Sequence, residues 1–407
     1  MSDIFKPRDD KDLEAIIQAA LSRDTVLEVI GAGTKRTIGR PVQAGATLDI
    51  SGLSGVTLYE PNELVLTARA GTPLAVIEEA IAATGQQLAF EPIDYAAVLG
   101  TPRGAATLGG VLACNLSGPR RLCAGAARDH FLGFSAVSGR GETFKSGGRV
   151  VKNVTGYDLC KLMAGSWGTL AVMTDVTIKV LPRPETEETV LALGLAPADA
   201  VKAMTAIMGS RCEASGAAHL PAHVALRTTA GKHHAPVTAI RIDGVAPSVA
   251  HRVREAREIL GVFAPDGATL SGTASTEFWT AVRHVLPFAA TGKAERPLWR
   301  ISVPPSAAAK VADDICGALG GEAMWDWAGG LIWIECLPVE NAGAGIVRRA
   351  IREAGGHATL IRAPAALRAT VDVFQDDAAP VAALSRRIKQ GFDPKGVLNP
   401  GRMWAGV

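Results

Sequence analysis

The sequence predicts an α+β chain of two or three lobes, on three observations. Its 407 residues exceed one domain at roughly 150 residues each. Amphipathic helices and short apolar strands alternate through the first 180 residues. The stretch Leu181-Pro182-Arg183-Pro184-Glu185, followed by the acidic run Glu185–Glu188, then interrupts both patterns and marks a boundary.

Before the boundary, Leu13, Ile16, Ile17 and Ala20 fall at helical spacing and predict a helix over 9–21. Val26–Ile30 reads as a strand running into a glycine turn at Gly31–Gly33, and Thr47–Ile50 and Leu64–Ala68 read as short strands. Pro73–Thr84 predicts a helix with Gly85 as its left-handed stop. Phe90–Gly133 is long, irregular and dense in Gly, Pro and Arg, and a loop of that length inside a compact domain is usually functional. Strands return at Phe134–Ser138, Thr143–Phe144 and the β-branched Leu170–Val180.

Beyond the boundary, strands are expected at Val224–Thr228, Val237–Ile242, Leu298–Val303 and His357–Leu360, with a hairpin over Met324–Cys336. Helices are expected at Ser248–Leu260, Ala307–Leu319 and Ala342–Ala354. This alternation predicts an antiparallel sheet with helices on one face. Val381–Gln390 reads as a final helix and Phe392–Trp404 as a tail.

Composition excludes several classes of function. A hydrophobic share of 48% with 20% charged residues supports a packed core. Lys and Arg total 42 against 40 Asp and Glu, a net +2 that provides no field for wrapping nucleic acid or docking on acidic lipid. The six cysteines, at 114, 123, 160, 212, 316 and 336, form no C-x-x-C, which argues against a zinc knuckle or an iron–sulfur cluster within the chain and fits a reducing compartment. The charged N-terminus does not resemble a secretory signal, and no apolar run reaches 18 residues. The expectation is a cytoplasmic protein with no membrane span, with docking at the inner membrane through partners left open.

The 44 glycines are concentrated in clusters. Gly31-Ala32-Gly33-Thr34-Lys35-Arg36 follows a strand, where bare N–H groups could cradle a diphosphate. Arg36 occupies the sixth position of G-x-G-x-x-G, and Thr37–Pro41 starts a helix poorly, so a Rossmann site is disfavoured. The second cluster runs from Thr101 to Gly118 and continues to Gly133, rich in Gly, Thr, Ser and Asn. The third is Lys152-Asn153-Val154-Thr155-Gly156-Tyr157-Asp158-Leu159 with Gly165–Leu170, and the tail adds Asp393–Arg402, including Gly396-Val397-Leu398-Asn399-Pro400-Gly401.

Together, in this order and spacing, the four segments resemble the FAD-binding fold of the vanillyl-alcohol oxidase and p-cresol methylhydroxylase superfamily. The K-N-x-T-G-Y-D stretch and the short middle region are most similar to the FAD-binding subunits of bacterial glycolate oxidases. The resemblance implies a p-cresol methylhydroxylase (PCMH)-type FAD-binding domain of two α+β subdomains over residues 1–184. A smaller antiparallel-sheet cap over 185–380 and a helix and tail over 381–407 returning to the flavin would complete the chain. Gly31, Ala32, Gly33, Thr34 and Lys35 would hold the diphosphate. Gly104, Thr107, Gly109, Gly110, Ser117 and Gly118 would line the diphosphate and ribityl chain. Asn153, Thr155, Gly156, Tyr157 and Asp158 would lie near the ring or support its loop, and Asn399 would return to the flavin edge. Thr34 stands where flavinylated relatives place a histidine, implying non-covalent FAD. The implied partners are a catalytic flavoprotein subunit and an iron–sulfur subunit of a glycolate oxidase complex, acting on a small 2-hydroxy acid.

The catalytic set is less complete. Flavin oxidation of a 2-hydroxy acid needs a base and a cation for the carboxylate. The G-D-G-N-x-H and E-H-G strings of larger metal-bearing relatives do not occur. Pro221 interrupts the His219–His223 pair, so no metal ligands are assigned, and His233-His234 reads as an exposed turn. Arg300, in an apolar strand, is the candidate carboxylate clamp, with a solvated outer-face position as the alternative. Trp325, Trp327 and Trp333 could wall the flavin pocket or pack the core. His130 could touch flavin or brace its loop, and Arg120-Arg121 could meet a phosphate, a partner or solvent. Three roles stay open: FAD-carrying subunit, self-sufficient dehydrogenase, and non-catalytic assembly subunit.

Overall fold

A computed structural model describes residues 3–149, 156–290, 296–376 and 378–405. The first helix, Asp10–Ser22, is capped by Asp9, whose carboxylate accepts the N–H groups of Lys11 and Asp12 at 2.9 Å. It buries Leu13, Ile17 and Ala20. The strands flanking it join a three-stranded parallel sheet ordered Asp3–Phe5, Ala46–Asp49, Leu27–Ile30. A second, five-stranded antiparallel sheet is ordered Val56–Glu60, Val65–Arg69, Ala171–Lys179, Phe131–Ser138, Thr143–Gly147. The Leu74–Ala82 helix turns Leu74, Ile77 and Ile81 inward, and the chain reverses at Gly85 with φ +70. These two sheets are the two α+β subdomains.

The stretch 90–133 is more ordered than its composition suggests. It holds the short helices Ala96–Leu99, Leu108–Cys114 and Arg121–Ala124, and its last residues already belong to the Phe131–Ser138 strand.

The cap sheet has eight strands, all paired antiparallel, in the order Gly267–Ser271, Thr186–Leu193, Val237–Gly244, Gly216–Leu220, Glu322–Asp326, Leu331–Glu335, Leu298–Ser302, His357–Arg362. One face is covered by the helices Pro197–Met208, Ala246–Gly261, Ala308–Leu319 and Ala344–Ala354, which enclose Ile240, Trp299, Ile301, Trp325 and Ile334. The other face, with Leu191, Met324, Leu331 and Trp333, shares its core with the N-terminal half.

Two expectations are corrected. Helices do not cover one face alone: Thr273–Arg283 packs on the opposite one, where the Trp279 indole donates to the Thr189 hydroxyl at 2.7 Å. Val224–Thr228 is not a strand. Pro221, at φ −55, starts the short helix Ala222–Ala225, and Thr228 caps the turn that follows. The real strand beside it is Gly216–Leu220, buried on both faces and opening with three small residues, so it shows no polar–apolar alternation. A side chain at Gly216 would meet the Trp279 ring at 2.8 Å. Just past the proline stretch at 182–184, Thr186–Leu193 is an inner strand of the cap sheet.

The Ala379–Phe392 helix leads into a tail that returns to the first sheet. Leu27 donates to the Val397 carbonyl at 2.8 Å, and Asn399 donates to the Leu27 carbonyl at 3.1 Å. No described helix is long and apolar enough to cross a membrane.

Candidate cofactor-binding site

The strand Leu27–Ile30 ends in the turn Gly31–Lys35, which faces the start of the Leu108–Cys114 helix. Thr107 caps that helix, its hydroxyl accepting the Gly110 N–H at 3.3 Å. A Cβ at Gly31 would lie 2.5 Å from this hydroxyl, so the two backbones approach only because residue 31 has no side chain. Gly109 is needed for a similar reason: its Cβ would come within 2.8 Å of the Ala70 carbonyl. Among the described residues, no protein acceptor takes the backbone N–H groups of 31–35.

Turn and helix wall a cleft of about 660 Å³. Gly31, Ala32, Gly33, Thr34, Lys35, Thr107, Gly109 and Gly110 all line it. Cys114, Trp167 and Arg402 are among the further residues that join them. The Lys35 ammonium is buried, with only the Thr34 hydroxyl, at 3.3 Å, as a partner among the described residues. Burial lowers its pKa, partly offset by Cys114 and Asp94. Arg402 donates to the Lys35 carbonyl at 2.8 Å, while its buried Nε has no partner among the described residues. Val29, Ile50, Ala70, Val172 and Met173 supply apolar walls. Unused N–H groups, a desolvated ammonium and a partly unsatisfied guanidinium suit an anionic diphosphate. The apolar walls suit aromatic rings, so the residues present fit FAD.

Other sequence candidates lie elsewhere. Gly104, at φ +71, donates its N–H to Asp94 at 2.9 Å in a separate pocket against His284 and Arg283. The Ser117 hydroxyl accepts the Ala127 N–H at 2.9 Å. The Gly118 carbonyl accepts the Trp327 indole N–H at 3.0 Å, tying the loop to the cap. Gly156, Tyr157 and Asp158 are exposed, Tyr157 by 89%, and Asp158 caps the Leu159–Met163 helix. Asn153 and Thr155 lie outside the described residues. Asn399 is buried with its amide committed to backbone: it accepts from the Val29 N–H at 2.9 Å and donates to the Trp167 carbonyl at 3.0 Å. It fixes the strand and turn that wall the cleft.

Arg300 shares a strand face with Leu298, the face turned to the N-terminal half, and its guanidinium is 5.1 Å from the Trp327 ring centroid. Arg121 approaches the same ring at 4.3 Å. Trp333 meets Tyr95 edge-on at 6.1 Å, whereas Trp325 points to the helix-covered side against His219. His219 is buried beside Thr238 and His223 is half-exposed near Glu322. His130 braces its loop, with Nε2 2.9 Å from the Ala124 carbonyl.

The halves are locked by charge. Glu91 accepts from Arg241 at 2.8 and 3.0 Å and from the Arg120 N–H at 2.8 Å, while the Arg120 guanidinium reaches Asp243 at 2.7 Å. Burial alone would raise the Glu91 carboxyl, yet Arg241, Arg283 and Arg120 hold it below its usual range.

Comparison with known proteins agrees with the cleft. Residues 2–147 match the family described as FAD binding domain, and residues 375–403 match the C-terminal domain of FAD linked oxidases. Glycolate oxidase subunit GlcE of Escherichia coli is 36% identical over 390 residues, 96% of this chain and 95% of that protein. Glycolate oxidase subunit GlcD of Bacillus subtilis is 29% identical over 47% of this chain and 39% of its own length. D-lactate dehydrogenase of Archaeoglobus fulgidus is 31% identical over 47% and 41%. Among solved structures, alkyldihydroxyacetonephosphate synthase superposes with TM-score 0.72 at 19% identity, over 98% of this chain and 76% of that one. p-Cresol methylhydroxylase does so with 0.70 at 12%, over 99% and 88%. The fold is therefore the PCMH type, the cofactor is FAD, and the end-to-end match places the chain in the family of glycolate oxidase subunit GlcE.

Proposed function

We propose that this chain is the FAD-carrying subunit of a multi-subunit glycolate oxidase. In this reading it supports oxidation of a 2-hydroxy acid to the 2-oxo acid, with electrons leaving to an iron–sulfur partner. The observation that carries the reading is the cleft at Gly31–Lys35, with its unused donors, inside a chain similar to GlcE along nearly its whole length. The backbone of Gly31–Thr34 and the Lys35 ammonium hold the diphosphate, Thr107 and Gly110 shape the wall beside it, and Asn399 fixes the turn. FAD, when bound, supplies a two-electron acceptor that can also release electrons singly. Lys35, desolvated by its surroundings, contributes fixed positive charge without needing to reorganise.

Thr34 offers no imidazole for attachment, so FAD binds non-covalently. The proposed division is a cofactor domain over 1–184, a cap over 185–380, and a returning tail over 381–407. A catalytic flavoprotein subunit and an iron–sulfur subunit complete the complex, placed in the cytoplasm or at the inner membrane through those partners. The test is reconstitution with the two partner subunits, followed by glycolate-dependent dye reduction. Turnover that requires this chain with its FAD supports the proposal. Equal turnover with Lys35→Met depleted of FAD overturns it and leaves an assembly role.

A further inference from the structure

The tail that returns to the cofactor cleft is held by a buried ion pair outside the cleft. Lys389 lies in the last turn of the Ala379–Phe392 helix, and Asp393 ends it. Lys389 is 7% exposed and Asp393 2%. The Lys389 ammonium donates to the Asp393 carboxylate at 2.6 Å, the Thr169 carbonyl at 2.7 Å and the Leu398 carbonyl at 2.9 Å. An ammonium has three N–H donors, so all of them are used. Asp393 in turn accepts the Val397 N–H at 2.9 Å and the Leu398 N–H at 2.8 Å. Burying a charge is costly unless it is paired and hydrogen-bonded, and both of these are. Neither side chain lines the cleft.

The segments that the pair joins do line it. Thr169 closes the turn that carries Trp167 and Gly168, two walls of the cleft. Leu398 precedes Asn399, whose amide bridges the Val29 N–H and the Trp167 carbonyl. Farther along the tail, Arg402 reaches the Lys35 carbonyl. Trp167 and Asn399 both sit in the left-handed region, at φ +55 and +44. For a residue as bulky as tryptophan that conformation is strained, and it persists only where the surroundings over-determine it. Lys389 grips the chain just before Asn399 and just after Trp167 and Gly168, so one ammonium clamps the two strained segments together. Asp393 can approach only because residue 139 is glycine, since a Cβ there would collide with its side chain.

We propose that Lys389, paired with Asp393, is a positioning residue for FAD: it fixes the tail against the Trp167 turn and so sets Trp167, Asn399 and Arg402 where they shape the cleft. It acts through those residues and not by contact. The inference deepens the reading of the cleft as the FAD site and rests on it.

The test is titration of the FAD-free full chain with FAD, read by flavin fluorescence at a temperature where every variant is folded. Melting temperatures are measured on the same samples. Lys389→Met and Gly139→Ala should each raise the FAD Kd about tenfold or more, the range for losing a charged hydrogen bond. Lys389→Gln keeps a donor group and should give an intermediate Kd, so the proposal stays testable if Lys389→Met does not fold. Two further variants separate positioning from stability. Lys389→Met combined with Asp393→Asn removes the stranded carboxylate charge and should regain much of the melting temperature lost in Lys389→Met. Its Kd should stay raised, because the Thr169 and Leu398 carbonyls still lack their donor. Arg252→Met, in the cap, breaks bonds to the Cys212 and Asp243 carbonyls. It should lower the melting temperature and leave the Kd within about twofold of wild type, as expected for a distant, independent site. Wild-type Kd in both Lys389→Met and Gly139→Ala overturns the proposal. So does a Kd that follows the melting temperature across all the variants, which is what a merely structural role gives. A wild-type chain that takes up no FAD strikes the reading of the cleft, and the proposal with it.

Discussion

The cofactor half and the cap half spend their polar residues differently. In the first, N–H groups, Lys35 and Arg402 converge on one cleft and are left partly unsatisfied by the protein itself. In the second, most buried charges are consumed internally. Glu335 binds Arg362 at 2.6 Å, and Arg252 is absorbed by the Cys212 and Asp243 carbonyls at 3.1 and 2.7 Å. No group of three or more His, Cys, Asp or Glu side chains that could hold a metal lies among the described residues. Unsatisfied polar groups mark where a ligand belongs.

The largest effect should come from breaking the junction between the halves. Glu91→Gln leaves Arg241, itself 2% exposed, without its main counter-charge, and should destabilise the fold by about 3–5 kcal/mol in denaturant unfolding. Adding Arg241→Met should recover much of the loss. If the double variant is no more stable than Glu91→Gln alone, the lock is not a coupled pair.

A second way to sharpen the comparison uses pH. Burial pushes the Asp326 carboxyl up to about 7, opposed by the Trp327 N–H and nearby arginines. A raised carboxyl pKa means the folded state holds its proton where the unfolded chain has released it. Stability is therefore lost as pH rises from about 4 to 7, by up to about 4 kcal/mol. Burial lowers His219 and His284 to about 4, with the opposite sign: their contribution is complete above pH 6.5 and lost as pH falls towards 4. Unfolding curves from pH 5 to 8 should show Asp326→Asn flattening the alkaline decline. An unchanged pH slope in that variant would show the carboxyl is not held neutral.

The cofactor half should respond in binding rather than in folding. Lys35→Met should weaken FAD retention about tenfold or more while the melting temperature of the FAD-free chain holds or rises, because a desolvated ammonium with one weak partner is removed. Gly31→Ala should lower flavin content more modestly, by forcing the Thr107 hydroxyl away from the turn. Flavin-to-protein absorbance ratios check both, and full flavin occupancy in Lys35→Met would remove that residue from the site.

Much of this was legible in the sequence where local chemistry dictates structure. The Leu13 and Ile17 spacing and the Gly85 stop lie where pattern and turn residues place them. The Gly31–Lys35 turn and Gly109–Gly110 were legible because close backbone approach demands glycine. Gly216–Leu220 was not, since a strand buried on both faces has no polar–apolar period to read. Val224–Thr228 misled because apolar β-branched residues fit a buried helical turn equally well once Pro221 sets the start. Trp167 and Arg402 sat inside motifs already singled out, but only the fold shows that they reach the same cleft. Ser117 and Gly118 belong to the same glycine-rich run as Thr107, yet Ser117 braces its own loop through the Ala127 N–H and the Gly118 carbonyl serves the junction with the cap.

The most direct measurement is the absorbance spectrum of the purified chain, followed by acid precipitation. The structure predicts flavin bands, with all the flavin released into the supernatant as free FAD and none left on the protein. A chain that shows no flavin and takes up none from added FAD would contradict the reading of the cleft. Flavin that stays with the precipitate would contradict non-covalent binding at Thr34.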